Sequence, residues 1–120
     1  MVNKLNQERE KRRVLNQLRY QSLSGSRMNS FNYYGSESEN HIRLKFETFL
    51  RLRKLGYDCW CEPIFKCGIR MDILAWKDGK FKDLEILSSE TIEQLNEKIK
   101  KYPNIEIVKI KSINDLDYLE

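Results

Sequence analysis

The chain is poor in the residues that usually build thiolate or imidazole metal sites: of 120 residues, one is histidine (His41) and three are cysteine (Cys59, Cys61 and Cys67). An odd number of cysteines without a secretory signal is read as reduced thiols. Cys59 and Cys61, two apart on one predicted strand, share a face, which suits packing better than mutual bridging. A structural zinc site would need His41 as its fourth ligand, and the spacing matches no zinc motif. No apolar run approaches membrane-spanning length, and the opening MVNKLNQEREKRR lacks the apolar stretch of a signal peptide. The expectation is a cytoplasmic protein with no membrane partner. Proline is scarce too, at two residues. Pro63 interrupts one predicted strand, and Pro103 ends one predicted helix.

What is present begins with an uneven charge. Residues 1–30 hold seven basic side chains (Lys4, Arg9, Lys11, Arg12, Arg13, Arg19, Arg27) against Glu8 and Glu10, a net of +5, whereas residues 31–120 hold 15 basic and 16 acidic, a net of −1. The excess positive charge is an N-terminal property. It fits an arm that contacts phosphates or another acidic surface, and equally a solvated helix that keeps the protein soluble. The aromatics that follow (Tyr20, Phe31, Tyr33, Tyr34) suit base stacking or packing on the domain.

Residues 3–21 read as a helix with a thin apolar seam at Leu5, Val14, Leu15 and Leu18. SLSGSRMNSFNYYGSESEN, with six serines and two glycines, reads as a linker or mobile loop. The division expected is a basic helix and Ser-rich linker over 1–37 and an α/β domain over 38–120. A second helix starts near Ser38, stops before Gly56 and buries Ile42, Phe46, Phe49 and Leu50. About 100° round it, Arg43, Glu47, Arg51 and Lys54 form a row of surface ion pairs or an acidic ligand set in a basic, phosphate-facing track. YDCWCEPIF is a strand, bent or at an edge at Pro63. Ser88 opens a third helix with Ile92, Leu95, Ile99 and Tyr102 at helical spacing, IEIVKIK over 105–111 is the fourth strand, and a short helix near 114–119 follows. A strand, helix, strand unit of this length favours a parallel crossover, hence a mixed sheet of about four strands flanked by helices.

The most informative stretch is IRMDILAWKDGKFKDLEIL. Asp78-Gly79 between apolar, β-branched and aromatic residues is a strong hairpin signal, which sets Trp76 opposite Phe81 and Asp72 opposite Glu85. Ile69, Met71, Ile73, Leu84 and Ile86 then make the other face apolar and fix the register. Directly opposed carboxylates about 5 Å apart repel, so something must offset them. A divalent cation would do so, and so would Arg70 in a metal-free ion cluster.

The order helix with Glu47, strand, strand with Asp72, strand with Glu85, helix, strand resembles the PD-(D/E)xK nuclease superfamily, the restriction-endonuclease-like fold (αβββαβ), over roughly residues 38–111. SENHIRLKFETFLRLRKLGYD also looks like the opening of competence-associated and archaeal or viral members, in which a Ser/His/Lys-bearing helix precedes a Gly and the first strand. The resemblance implies Mg²⁺ or Mn²⁺ held by Asp72 and Glu85, with Glu47 contributing, and hydrolysis of DNA phosphodiesters. It also implies a homodimer, the form in which many of these enzymes cut both strands. The family's Lys, two residues after the third-strand acid, is here Leu87, which can neither orient water nor stabilise charge on a phosphate. Arg70, expected opposite Leu87 on the Asp72 face, is the substitute cation, and Lys98 or Lys101 on the following helix are further candidates. With Arg43 and Arg51 added to the basic arm as phosphate contacts, the expected function is a nuclease. The alternative is a catalytically inactive nuclease-fold module for nucleic-acid binding or assembly.

Overall fold

The computed structural model describes residues 4–16, 28–33, 35, 37–66, 68, 70–87 and 105–120. Helix α1 (Lys4–Leu15) and helix α2 (Glu39–Lys54) precede strands β1 (Asp58–Cys61), β2 (Ile73–Lys77), β3 (Lys80–Ile86) and β4 (Glu106–Ile110), and a 3-10 helix (Ile113–Tyr118) follows. The strands form one mixed sheet in the order β1-β2-β3-β4, antiparallel except for the parallel pair β3 and β4. This is the α/β architecture with a four-stranded mixed sheet that the sequence pattern predicts. The predicted third helix, with Lys98 and Lys101, falls outside the described residues, as does Arg19. No helix among the described residues is long and apolar enough to cross a membrane.

Local chemistry explains the ends of these elements. Ser38 caps α2 by accepting from the His41 amide at 3.1 Å, and Arg51, Arg53 and Lys54 place positive charge in its last turn. The helix closes in a Schellman arrangement, in which Tyr57 N donates to Leu52 O (3.0 Å) and Gly56 N to Arg53 O (3.1 Å), with Gly56 at φ 93°. At the β2–β3 turn, Asp78 and Gly79 have φ of 50° and 83°, the signs a type I′ hairpin requires. The register follows directly: Trp76 pairs with Phe81 and Ile73 with Leu84, as the turn symmetry predicts.

The sheet is apolar on both faces. One face carries Cys59, Cys61, Ile73, Ala75, Leu84, Ile86 and Ile110, packed against Phe49 and Leu52 of α2 and Leu116 of the 3-10 helix. Burial raises the pKa of the Cys59 and Cys61 thiols, to about 12 and about 11, so both are inert packing groups. The other face carries Trp60, Leu74, Trp76 and Phe81, joined by Phe65, Met71 and Val14 of α1. Met71 therefore departs from the expected face. It precedes β2, where its amide donates to Pro63 O rather than to β3, so strand alternation does not govern it.

Two further expectations change. The buried line of α2 is Lys45, Thr48, Phe49 and Leu52, whereas Phe46 is 40% exposed and Ile42 and Leu50 are half-buried. Buried carboxylates draw Lys45 inward, and the helix is rotated accordingly. Residues 28–33 are also anchored, although they fall in the segment expected to be a linker. Met28 bridges Trp60, Asn29 N donates to Cys59 O, and Asn29 Oδ1 accepts from Cys59 N at 2.8 Å. Asn29 takes φ 62°, which asparagine tolerates better than most residues. Phe31 then packs on Phe46 and Phe49, with ring centroids 4.9 and 5.7 Å away.

Candidate functional site

β1 and β2 are joined by a hairpin that starts at Glu62 and returns at Asp72. Glu62 N donates to Asp72 O (2.9 Å), Met71 N donates to Pro63 O (3.2 Å), and Ile64 pairs with Arg70. Buried Phe65 and Met71 fasten this hairpin into the core. Extending the Ile73–Leu84 pairing by one residue sets Asp72 opposite Glu85, and Asp72 Oδ2 accepts from the Ile86 amide at 2.8 Å. In the next register Glu85 pairs with Lys109 of β4. One row across the sheet therefore reads Glu62, Asp72, Glu85, Lys109.

Helix α2 reaches this row with side chains four residues apart, which lie on one helical face. His41 Nε2 is 3.5 Å from Asp72 Oδ1 and 3.7 Å from Glu37 Oε2. One turn on, Lys45 Nζ donates to both Glu37 oxygens (2.8 and 2.9 Å) and also pairs with Glu62 Oε1. Lys45 has no exposed surface and Glu62 is 2% exposed. A charge so buried persists only if its partners offset the lost hydration, and Lys45 has two carboxylates.

The protonation states follow. Burial pulls the Lys45 pKa down, but its hydrogen bonds to Glu37 and Glu62 outweigh that and leave it raised, so it is a fixed cation. Burial pushes Glu62 up to about 7 against the pull of Lys45. The hydrogen bond to Asp72 raises His41. Burial works to raise Asp72, yet His41, the Ile86 amide and a hydrogen bond with Glu85 bring it below the ordinary range. The repulsion expected between Asp72 and Glu85 is thus offset at Asp72 by an imidazole and a backbone amide.

Of the residues singled out in the sequence, the fold brings Asp72 and Glu85 together. Glu47 is exposed and lines a groove with Arg43, Phe46 and Ile113, and the α2 residues that meet Asp72 and Glu62 are His41 and Lys45. Arg70 is exposed and pairs with Ile64 on the hairpin rather than prolonging β2 toward Leu87. Lys4, Arg9 and Arg12 are exposed on α1. Lys11 lies 4.0 Å from Asp58 and over the Trp76 ring, and Arg13 pairs with Glu10. Arg43 pairs with Glu39, and Arg51 with Asp117 at 3.5 Å.

Sequence reasoning gave no site role to Glu37, Lys45 or Glu62; it weighed His41 as a zinc ligand, and His41 and Lys45 otherwise entered only through the Ser/His/Lys-bearing helix of the resemblance. The available signal was the spacing 37, 41, 45, which runs into buried Thr48 and Leu52. Among the described residues no group of three or more His, Cys, Asp or Glu is placed to hold a metal ion. Asp72 and Glu85 are two carboxylates, which is the share Mg²⁺ characteristically takes from protein, the remainder being water and phosphate. No protein-family model, curated protein or solved structure matches this chain.

Proposed function

We propose that this chain is a divalent-metal-dependent nuclease that hydrolyses DNA phosphodiester bonds, built on a restriction-endonuclease-like core. The observation that carries the reading is the corner where Asp72 and Glu85, direct cross-strand neighbours, adjoin a fully buried Lys45 held through Glu62. Carboxylates crowded beside a buried ammonium are costly as structure alone. Their joint presence is what phosphoryl chemistry requires.

Asp72 and Glu85 would hold Mg²⁺ or Mn²⁺, which supplies Lewis-acid charge at a phosphate oxygen. The rest belongs to the chain's own groups. His41 orients Asp72, while the Ile86 amide fixes the other carboxylate oxygen. Lys45, protonated at neutral pH, supplies from α2 the positive charge that Leu87 cannot, so it replaces Arg70 as the cation of the site. Glu62, with its pKa near 7, is poised to take up or release a proton in the working range.

A second reading has one observation in its favour: His41 and the Ile86 amide already satisfy Asp72 without any cation. That would suit a non-catalytic module that binds nucleic acid or assembles with other proteins. The test is Mn²⁺ titration by calorimetry together with DNA cleavage in Mg²⁺. The nuclease reading expects one Mn²⁺ site per chain, lost in Asp72→Asn, and cleavage abolished by the same change in a protein whose circular dichroism is unaltered. No Mn²⁺ binding, or cleavage that survives Asp72→Asn, sinks it.

A further inference from the structure

The β2–β3 hairpin has a second charged end. Asp72 and Glu85 stand at its open end, whereas Lys77 and Lys80 flank the Asp78-Gly79 turn as a register pair and Lys82 follows two residues on. Strand alternation with Ala75 and Leu84, which pack toward Phe49 and Leu52 of α2, puts all three lysines on one face of the sheet. Like charges set directly opposite in an antiparallel pair repel, and this end gathers three of them. Among the described residues none of the three forms an ion pair, although Asp78 lies in the turn and exposed Glu106 is the register neighbour of Lys82. Two of the ammoniums are nevertheless held in place. Lys77 Nζ and Lys82 Nζ stand 5.4 and 5.6 Å from the centroid of the Tyr57 ring, which is buried and anchored through its hydroxyl, a donor to Glu120 O. A ring face attracts an ammonium electrostatically and leaves its N–H donors for another acceptor. Lys80 is exposed beside them.

We propose that Lys77, Lys80 and Lys82 bind the phosphate backbone of a nucleic acid, at a contact remote from the acid corner. This rests on the nucleic-acid partner of the nuclease reading and adds a second point of attachment. Lysine meets phosphate as a point charge, whereas it is depleted from the cores of protein–protein interfaces. A membrane contact would need apolar side chains to insert, and the large ones of this hairpin, Trp76 and Phe81, are buried. Phosphates, which ask only for charge and N–H donors, are what this surface offers. Five residues of extended chain separate Asp72 from Lys77, about 17 Å at about 3.4 Å per residue. The contact at the hairpin tip therefore holds nucleic acid without touching the carboxylates, and its contribution is independent of theirs.

The experiment measures DNA affinity against salt in EDTA, where nothing is cleaved. It compares the native chain with a neutral triple variant (Lys77→Gln, Lys80→Gln and Lys82→Gln) and a charge-keeping one (Lys77→Arg, Lys80→Arg and Lys82→Arg). The neutral variant should lose about tenfold or more in affinity at moderate salt. Its log-log salt slope should become shallower by about 2.7 on duplex or about 2.1 on single-stranded DNA, three contacts' worth. The charge-keeping variant should retain the native slope, because arginine also binds phosphate. Lys80→Glu alone, at an exposed side chain, should weaken binding with circular dichroism unaltered, and it decides the matter if the neutral triple does not fold. Mn²⁺ binding should be the same in every variant, so failure of the metal site and failure of this contact are read separately. The proposal is overturned by a native slope in the neutral variant, by an equal loss in the charge-keeping one, or by native affinity in Lys80→Glu. A native chain that binds vesicles of anionic phospholipid but shows no salt-dependent DNA binding overturns it too.

Discussion

Lys45 is the residue whose loss the molecule should feel most. Replacing it with methionine keeps the volume but leaves Glu37 and Glu62 without their ammonium, and stranding buried charge in this way typically costs about 3–5 kcal/mol. Urea denaturation of Lys45→Met should show that loss, and adding Glu62→Gln should recover part of it, because the two groups are directly coupled. An additive pair would mean that the contact carries no energy. The pH dependence is set at the same corner. Glu62 titrates near 7 in the fold against an ordinary 4.5, so between those values the folded chain holds the extra proton. Its contribution is full below about 4.5 and is lost as pH rises through about 7. His41, raised above 6.5, acts in the same direction: its contribution is present below that value and fades at higher pH. Asp72, lowered from 3.8, does the reverse and is lost only in strong acid. Without divalent metal, the melting temperature should therefore fall between about pH 5 and 8, with a shallower fall in Glu62→Gln. A melting temperature that rises over this range would contradict the assignment.

Among elements, α1 has two roles. Its basic side chains suit an arm, yet Val14 is 1% exposed between Trp60, Leu74, Trp76 and Phe81, Lys11 lies over Trp76, and a Cβ at Gly79 would come within 2.8 Å of Gln7. The helix covers one face of the sheet. Val14→Asp should cost about 3 kcal/mol or more in chemical denaturation, because it sets a charge against four large apolar side chains, while exposed Arg9→Ala should stay within about 0.5 kcal/mol. Equal effects would place α1 off the core. The apolar seam through Val14 was legible in the sequence, because helical spacing exposes it. That the seam meets the sheet was not, since Leu74 and Trp76 alternate with Ile73 and Ala75 in a strand that is apolar on both faces. The burial of α2 was half legible for a related reason: Phe46 resembles a core residue and Lys45 a surface one, and only tertiary partners reverse them.

For the molecule as a whole, the β2–β3 register was readable, because Asp78-Gly79 admits one turn geometry and period-two alternation sets which of the paired side chains share a face. The site was readable only where it lies on that hairpin. Glu37, His41, Lys45 and Glu62 come from a loop, a helix and a strand end that no local spacing connects to Asp72. One consequence concerns the balance between robustness and use. Glu62 combines a charged, buried side chain with a left-handed backbone, φ 57°, a conformation that glycine or asparagine adopts at far less cost. A chain selected for endurance alone would carry one of those residues at position 62. The presence of glutamate means that the domain as a whole forgoes stability at the foot of its own hairpin, so natural variants that harden this fold should be sought there, and they should be the ones that have surrendered the site.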